Sequence, residues 1–190
     1  RNVTGVQTCA LPIWTYCEAV RAHGQTAIIR DLYALGFDPL LRSEERPESP
    51  DFSPGEDVEA ELELLRESEA VILVYPIWFG MPPAIIKGYI DRVLGAGFTA
   101  AEIKTGAVHP FLEGKRLVLI TSSGTSRPWL EERGMVRSLR QAWDIYLTTI
   151  FSMVDGGHLH LDVVVKGLNA RLDRKSTRLN SSHVSESRMP

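Results

Sequence analysis

The feature that most constrains the fold is the run from residue 70 to 86, A-V-I-L-V-Y-P-I-W-F-G-M-P-P-A-I-I, which carries no charge but contains Pro76, Gly80, Pro82 and Pro83. A membrane helix needs about 20 apolar residues, and these prolines and the glycine break the run midway, so it reads as strand, loop and helix start rather than a span. Residues 71–75 are continuously apolar, the pattern of a strand buried on both faces and hence of a parallel sheet. Residues 83–94 follow as a helix, with Ile86, Ile90 and Leu94 on one stripe and Ile85, Tyr89 and Val93 beside it.

Elements alternate on either side of this run. Upstream, a short helix through Glu18, Ala19 and Val20 closes at His23-Gly24, where glycine can take the left-handed conformation. A strand is expected over residues 26–32, then a polar, proline-rich surface loop over 42–54. Ser53-Pro54-Gly55-Glu56 has the capping-box pattern with proline at the first helical position. The helix after it should bury Val58, Leu62 and Leu65 and turn Glu59, Glu61, Glu63 and Glu67 to solvent. Downstream, Glu113-Gly114-Lys115 turns into a second buried strand at 117–120, followed by a small-residue loop at 121–126. Val136, Leu139, Trp143, Tyr146 and Ile150 recur at spacings of three and four, predicting a long amphipathic helix, and 158–165 is expected as the last strand. Strands separated by helices give an α/β doubly wound parallel sheet with helices on both faces. In such folds ligands sit beyond the carboxyl ends of the strands.

Composition narrows the partners. Lys and Arg total 21 against 24 Asp and Glu, a net charge of -3, which supplies no footprint for nucleic acid or an anionic membrane. Cys9 and Cys17 are too few for a disulfide framework, and a reducing cytoplasm is expected. No secretory pattern opens the chain, so the N-x-S/T matches at Asn2 and Asn180 read as chance.

The crevice rule directs attention to two loops. Residues 76–81 present Trp78 and Phe79 together, able to pack against a flat ring. Residues 121–126 present hydroxyls on Thr121, Ser122, Ser123 and Thr125 around Gly124, which permits close backbone approach to a polar edge. On composition alone, Trp78 and Phe79 are more often core aromatics. Lys87 and Asp91, four apart, read as a surface pair. His158, His160 and Asp162 alternate along one strand face, but solvated or packed side chains outweigh a metal site there, and no metal is expected.

Residues 68–99, S-E-A-V-I-L-V-Y-P-I-W-F-G-M-P-P-A-I-I-K-G-Y-I-D-R-V-L-G-A-G-F-T, strongly resemble the signature of the flavodoxin-like NAD(P)H:quinone oxidoreductases, and R-D-L-Y-A-L-G-F-D-P-L-L at 30–41 is similar to the same family's segment after its second strand. The resemblance implies a flavodoxin-like domain over 14–171 and a bound flavin, FMN or FAD. Pro76, Ile77, Trp78 and Phe79 would lie against the isoalloxazine ring, with Ser122, Ser123 and Gly124 where the family usually has Thr-Thr-Gly. Thr125 stands where a second glycine is common. The implied activity is two-electron reduction of a quinone or similar electrophile by hydride transfer from NAD(P)H through the flavin. Backbone N–H groups near Gly124 or in the 79–81 loop would stabilise negative charge on the reduced ring. No catalytic acid or base is assigned, because Pro128 and Trp129 stand where some relatives place a tyrosine and a histidine. A homodimer is implied, with the segment 96–113 near the site. Alternatives are a non-catalytic flavoprotein regulating an ion-efflux system, or an electron carrier.

The ends differ in character. Residues 1–13, R-N-V-T-G-V-Q-T-C-A-L-P-I, and 174–190 both resemble translated sequencing-adapter read-through, and the closing segment is expected to be disordered. The family's first strand and its phosphate-binding loop have no counterpart, so no phosphate ligands are assigned and weak flavin retention is expected. Residues 3–13 are apolar enough to fill part of that strand position.

Overall fold

The computed structural model describes residues 7–164. Three parallel strands, β1 (Ala70–Pro76), β2 (Arg116–Ser122) and β3 (Val154–Leu161), form the sheet in that order. The β1 and β2 register runs from Ala70 opposite Arg116 to Pro76 opposite Ser122, so their carboxyl ends finish level. A bulge between Leu117 and Leu119 lets β3 follow β2, and Gly156 lies there against the Leu117 backbone.

Helices cover the sheet. α1 (Gln7–Ala22) contacts β1 and β2. α2 (Glu56–Glu67) buries Val58, Leu62 and Leu65 as its spacing predicts. α3 (Ala84–Tyr89) continues as a π-helical turn over Ile90–Leu94, α4 spans Ala100–Thr105, and α5 spans Arg127–Glu132. α6 (Met135–Leu139) runs through a π segment, Arg140–Ile145, into α7 (Tyr146–Ile150). Leu73 and Tyr75 of β1, Leu117 and Leu119 of β2, Val93 and Leu94, and Trp143 belong to one apolar cluster. Each fully buried side chain of this kind stabilises the fold by about 1.5–3 kcal/mol.

Several expectations are corrected. Residues 26–32 form no strand: Ile28 and Ile29 stay exposed, and among the described residues no strand pairs with the outer edge of β1. Residues 7–13 lie in α1, as helix rather than strand. Ser53 does not cap α2; its N–H donates to the Glu44 carbonyl, Gly55 is the N-cap, and the Gly55 N–H donates to the Glu45 carboxylate. Glu61 is 3% exposed rather than solvent-facing, because Arg30 Nη2 lies 2.6 Å from it and the Tyr89 hydroxyl donates to it at 3.0 Å. The wider turn of the π segment rotates the later stripe, so Leu147 is buried and Tyr146 exposed. The last strand starts at Val154 and ends at Leu161, not Val165, which lies outside the described residues, as does the closing segment from Arg174. The segment 96–113 is not an open loop. Thr99 and Glu102 form a reciprocal capping box on α4, and buried His109 packs edge-on against Phe98 and Phe151.

Candidate functional site

The two loops singled out by sequence meet at the level ends of β1 and β2. The Ile77 N–H donates to the Ser122 carbonyl at 2.7 Å and extends the ladder one residue past Pro76. Beyond it the chain reverses tightly. Trp78 and Met81 exchange N–H···O bonds of 2.9 and 3.0 Å, and the two residues between have positive φ, 50° at Phe79 and 81° at Gly80. That is the turn form in which glycine is favoured and an aromatic is strained. A Cβ on Gly80 would sit 2.4 Å from Met135 Cε, so this turn packs on the start of α6. Trp78 is 53% exposed, Met81 is half exposed and Phe79 fully exposed. These aromatics are therefore not core residues: a strained turn holds apolar rings toward solvent, where burying them elsewhere would be favourable.

The second loop is arranged differently from the expectation. Ser122 and Ser123 are both buried, and the Ser123 hydroxyl donates to the Thr125 carbonyl at 2.7 Å. Thr121, in the last turn of ladder on β2, bonds both His158 and His160 of β3. The Thr121 and Ser123 hydroxyls thus bond within the protein rather than around Gly124. Gly124 itself is exposed, and a Cβ there would meet only the Val164 carbonyl at 3.8 Å, so the backbone is open to a ligand edge. Of the N–H groups expected to face negative charge, that of Met81 is used by the turn and that of Ser123 donates to the Leu161 carbonyl.

The histidine strand is a hydrogen-bonded network. His158 Nδ1 lies 2.9 Å from Asp144 of the π segment, and Asp162 accepts the Arg127 N–H. Among the described residues no group of three or more side chains is placed to hold a metal ion. Burial, then the neighbouring His158, pulls His160 down to about 4. Asp144 escaped the sequence reading, although an acidic residue beside Trp143 in the buried stripe was the available signal. Arg92 escaped too. It is 1% exposed, bonded to Glu45, Asp57 and the Asp38 carbonyl, and stacked over Phe37. Lys87 and Asp91 do form the exposed surface pair.

A parallel α/β sheet with an aromatic turn and a glycine loop at the carboxyl ends of adjacent strands has the layout of the doubly wound folds, in which ligands sit beyond those ends. A family model described as the flavodoxin-like fold matches residues 14–179, and the chain belongs to that family. It is 33% identical over 117 residues to an uncharacterized NAD(P)H oxidoreductase of Haemophilus influenzae, covering 62% of this chain and 57% of the relative. To NAD(P)H dehydrogenase [quinone] 1 of Rattus norvegicus it is 34% identical over 126 residues, covering 57% of this chain and 46% of the relative. The chain thus spans about half the length of these relatives. The solved NAD(P)H:quinone oxidoreductase of Methanothermobacter marburgensis superposes with TM-score 0.69 at 23% identity, over 94% of this chain and 89% of the other, which shows the shared fold. No described helix is long and apolar enough to cross a membrane.

Proposed function

We propose that the chain is the flavin-binding part of an NAD(P)H:quinone oxidoreductase, with residues 14–171 as its domain and 1–13 and 174–190 outside it. The observation that carries this reading is the turn at 78–81, whose strained backbone displays Phe79 to solvent beside half-exposed Trp78. The two relatives above, both named as NAD(P)H-linked, support it. A flat tricyclic ring fits this turn. Pro76 and Ile77 form its floor, Trp78 and Phe79 supply its faces, and Gly124 borders its polar edge through backbone, held there by the bonded backbone of Ser122 and Ser123. A bound flavin would supply the redox chemistry, taking hydride from NAD(P)H and giving two electrons to a quinone. The chain's own residues bind and orient: the aromatics exclude water and hold the ring, and the Ser123 hydroxyl, bonded to the Thr125 carbonyl, ties down the second loop. The low cysteine content supports a reducing cytoplasm.

Fully exposed Phe79 also supports a homodimer in which a second copy closes over the turn. Sedimentation of the flavin-loaded protein at micromolar concentration is expected to give a dimer, and a strict monomer contradicts this. For activity, many turnovers of NADH or NADPH with a soluble quinone are expected from flavin-loaded protein. Absence of any turnover by protein with bound flavin overturns the enzyme reading.

A further inference from the structure

The apex of the 78–81 turn rests on a single side chain. Where Gly80 lacks a Cβ, Met135 fills the space: a Cβ there would lie 2.4 Å from Met135 Cε and 3.5 Å from Sδ, and no other described residue outside its chain neighbours comes within 4 Å. The two hydrogen bonds between Trp78 and Met81 close the ends of the turn. They leave its apex, Phe79-Gly80, able to tilt about them, although φ of 50° at Phe79 is a conformation that a phenylalanine does not hold unaided. What meets that apex is the Met135 methyl.

Core packing does not account for this contact. Met135 is half-buried, and it belongs neither to the apolar cluster that contains Met153 nor to the partly buried side chains packed on that cluster. Its base is fixed. Met135 is the first residue of α6, and its N-cap Gly134, at φ 71°, accepts both the N–H and the hydroxyl of Ser138 at 3.0 Å. The Gly134 N–H donates in turn to the Glu131 carbonyl of α5, the helix that directly follows the 121–126 loop. The chain therefore runs from the second loop through α5 to Met135, and from there touches the first loop. A thioether on an unbranched stem suits this place, because it fills the space under Gly80 and can still change rotamer as a ring seats.

We infer that Met135 is a positioning residue for the ring site: its terminal methyl, seated on Gly80, holds the aromatic turn in the strained form that displays Trp78 and Phe79. It acts through the turn and touches no ligand. That the displayed rings then meet a flat ligand rests on the function proposed above, whereas the hold on the turn does not.

The test is amide exchange followed by NMR in the full chain without ligand, joined to riboflavin titration. The Met81 N–H, which donates to the Trp78 carbonyl, reports the turn, and the Ile77 N–H, which donates to the Ser122 carbonyl, reports the sheet end beside it. Met135→Ala is expected to speed exchange at Met81 about tenfold and leave Ile77 unchanged, while Met135→Leu, which keeps most of the apolar reach, stays within about threefold. Riboflavin affinity should follow, about fivefold weaker in Met135→Ala and within about twofold in Met135→Leu. Unchanged Met81 exchange in Met135→Ala overturns the inference. Equal acceleration at Ile77 and Met81 overturns it too, since that is general loosening of the fold, and so does faster Met81 exchange with undiminished riboflavin affinity. In the unmodified chain a nuclear Overhauser contact between the Met135 methyl and the Gly80 α-protons is expected, and its absence overturns the inference without any variant. If the unmodified chain binds no riboflavin while Met81 exchange still answers to Met135, the ring reading fails and the hold on the turn stands.

Discussion

Arg92 shows how much a single residue can organise. Its guanidinium has no exposed surface and joins the π turn after α3 to Glu45 in the 42–54 loop and Asp57 in α2. Truncating one partner of a buried ion pair leaves the others uncompensated, at a cost of about 3–5 kcal/mol. Arg92→Ala is therefore expected to lower the urea midpoint sharply, whereas Lys87→Ala, which removes an exposed pair, should move it by no more than about 0.5 kcal/mol. Equal effects of the two would contradict the placement. The role of Lys87 was legible in its spacing from Asp91, whereas that of Arg92 was not, because it stands on the same helix and only the distant partners Glu45 and Asp57 bury it. Glu61 misled for the same reason: within α2 it looks like any other acidic position, and Arg30 and Tyr89, which bury it, come from elsewhere in the chain.

At the scale of elements, β1 and β2 were readable because a strand buried between helices has to be apolar along its length. Residues 26–32 carry only a short apolar run, Ala27 to Ile29, ahead of Arg30 and Asp31, and a strand also needs a neighbour to bond, which none of the described strands supplies. The turn at 78–81 was legible as a place and not as a geometry. Its aromatic pair was evident, but the positive φ at Phe79 depends on the exchange of bonds between Trp78 and Met81. The hydroxyl loop was misjudged because its partners His158 and His160 arrive on a strand far along the chain. That strand hangs on Gly156, where a Cβ would come within 2.6 Å of Val118 Cγ2 and 2.8 Å of the Leu117 carbonyl oxygen. Backbone cannot yield as a side-chain tip can, so Gly156→Ala is expected to cost about 1–3 kcal/mol. The same change at Gly124, which has room, should cost less than about 1 kcal/mol. Thermal melts of the two variants check this, and a more stable Gly156→Ala would contradict the bulge packing.

Over the whole molecule, the titrating groups predict acid sensitivity. Hydrogen bonding from Arg92 holds the Glu45 carboxyl down at about 2. A depressed carboxylate stabilises the fold above its unfolded value of about 4.5, and that contribution is lost as pH falls from there toward 2. Burial also lowers His109, and lowers His160 to about 4. Their unfolded forms take up protons first, so each costs stability as pH falls below about 6.5, with a slope of up to about 1.4 kcal/mol per pH unit for each proton. Both kinds of group act in the same direction. Urea midpoints should therefore fall between about pH 7 and about pH 4.5 and fall further below it. A midpoint that rises over the first interval would show that the histidines are not held neutral.

The central claim is that the turn at 78–81 holds a flavin ring, and riboflavin tests it most directly because it carries the ring without any phosphate. Titration of riboflavin with the full chain, followed by its fluorescence, is expected to show saturable quenching. Trp78→Ala and Phe79→Ala should each weaken it about tenfold, the scale of roughly 1.4 kcal/mol from a lost aromatic contact. Their thermal melts should stay close to the unmodified chain, since neither ring is in the core. Quenching of equal affinity in all three proteins, or none in any, would contradict the account.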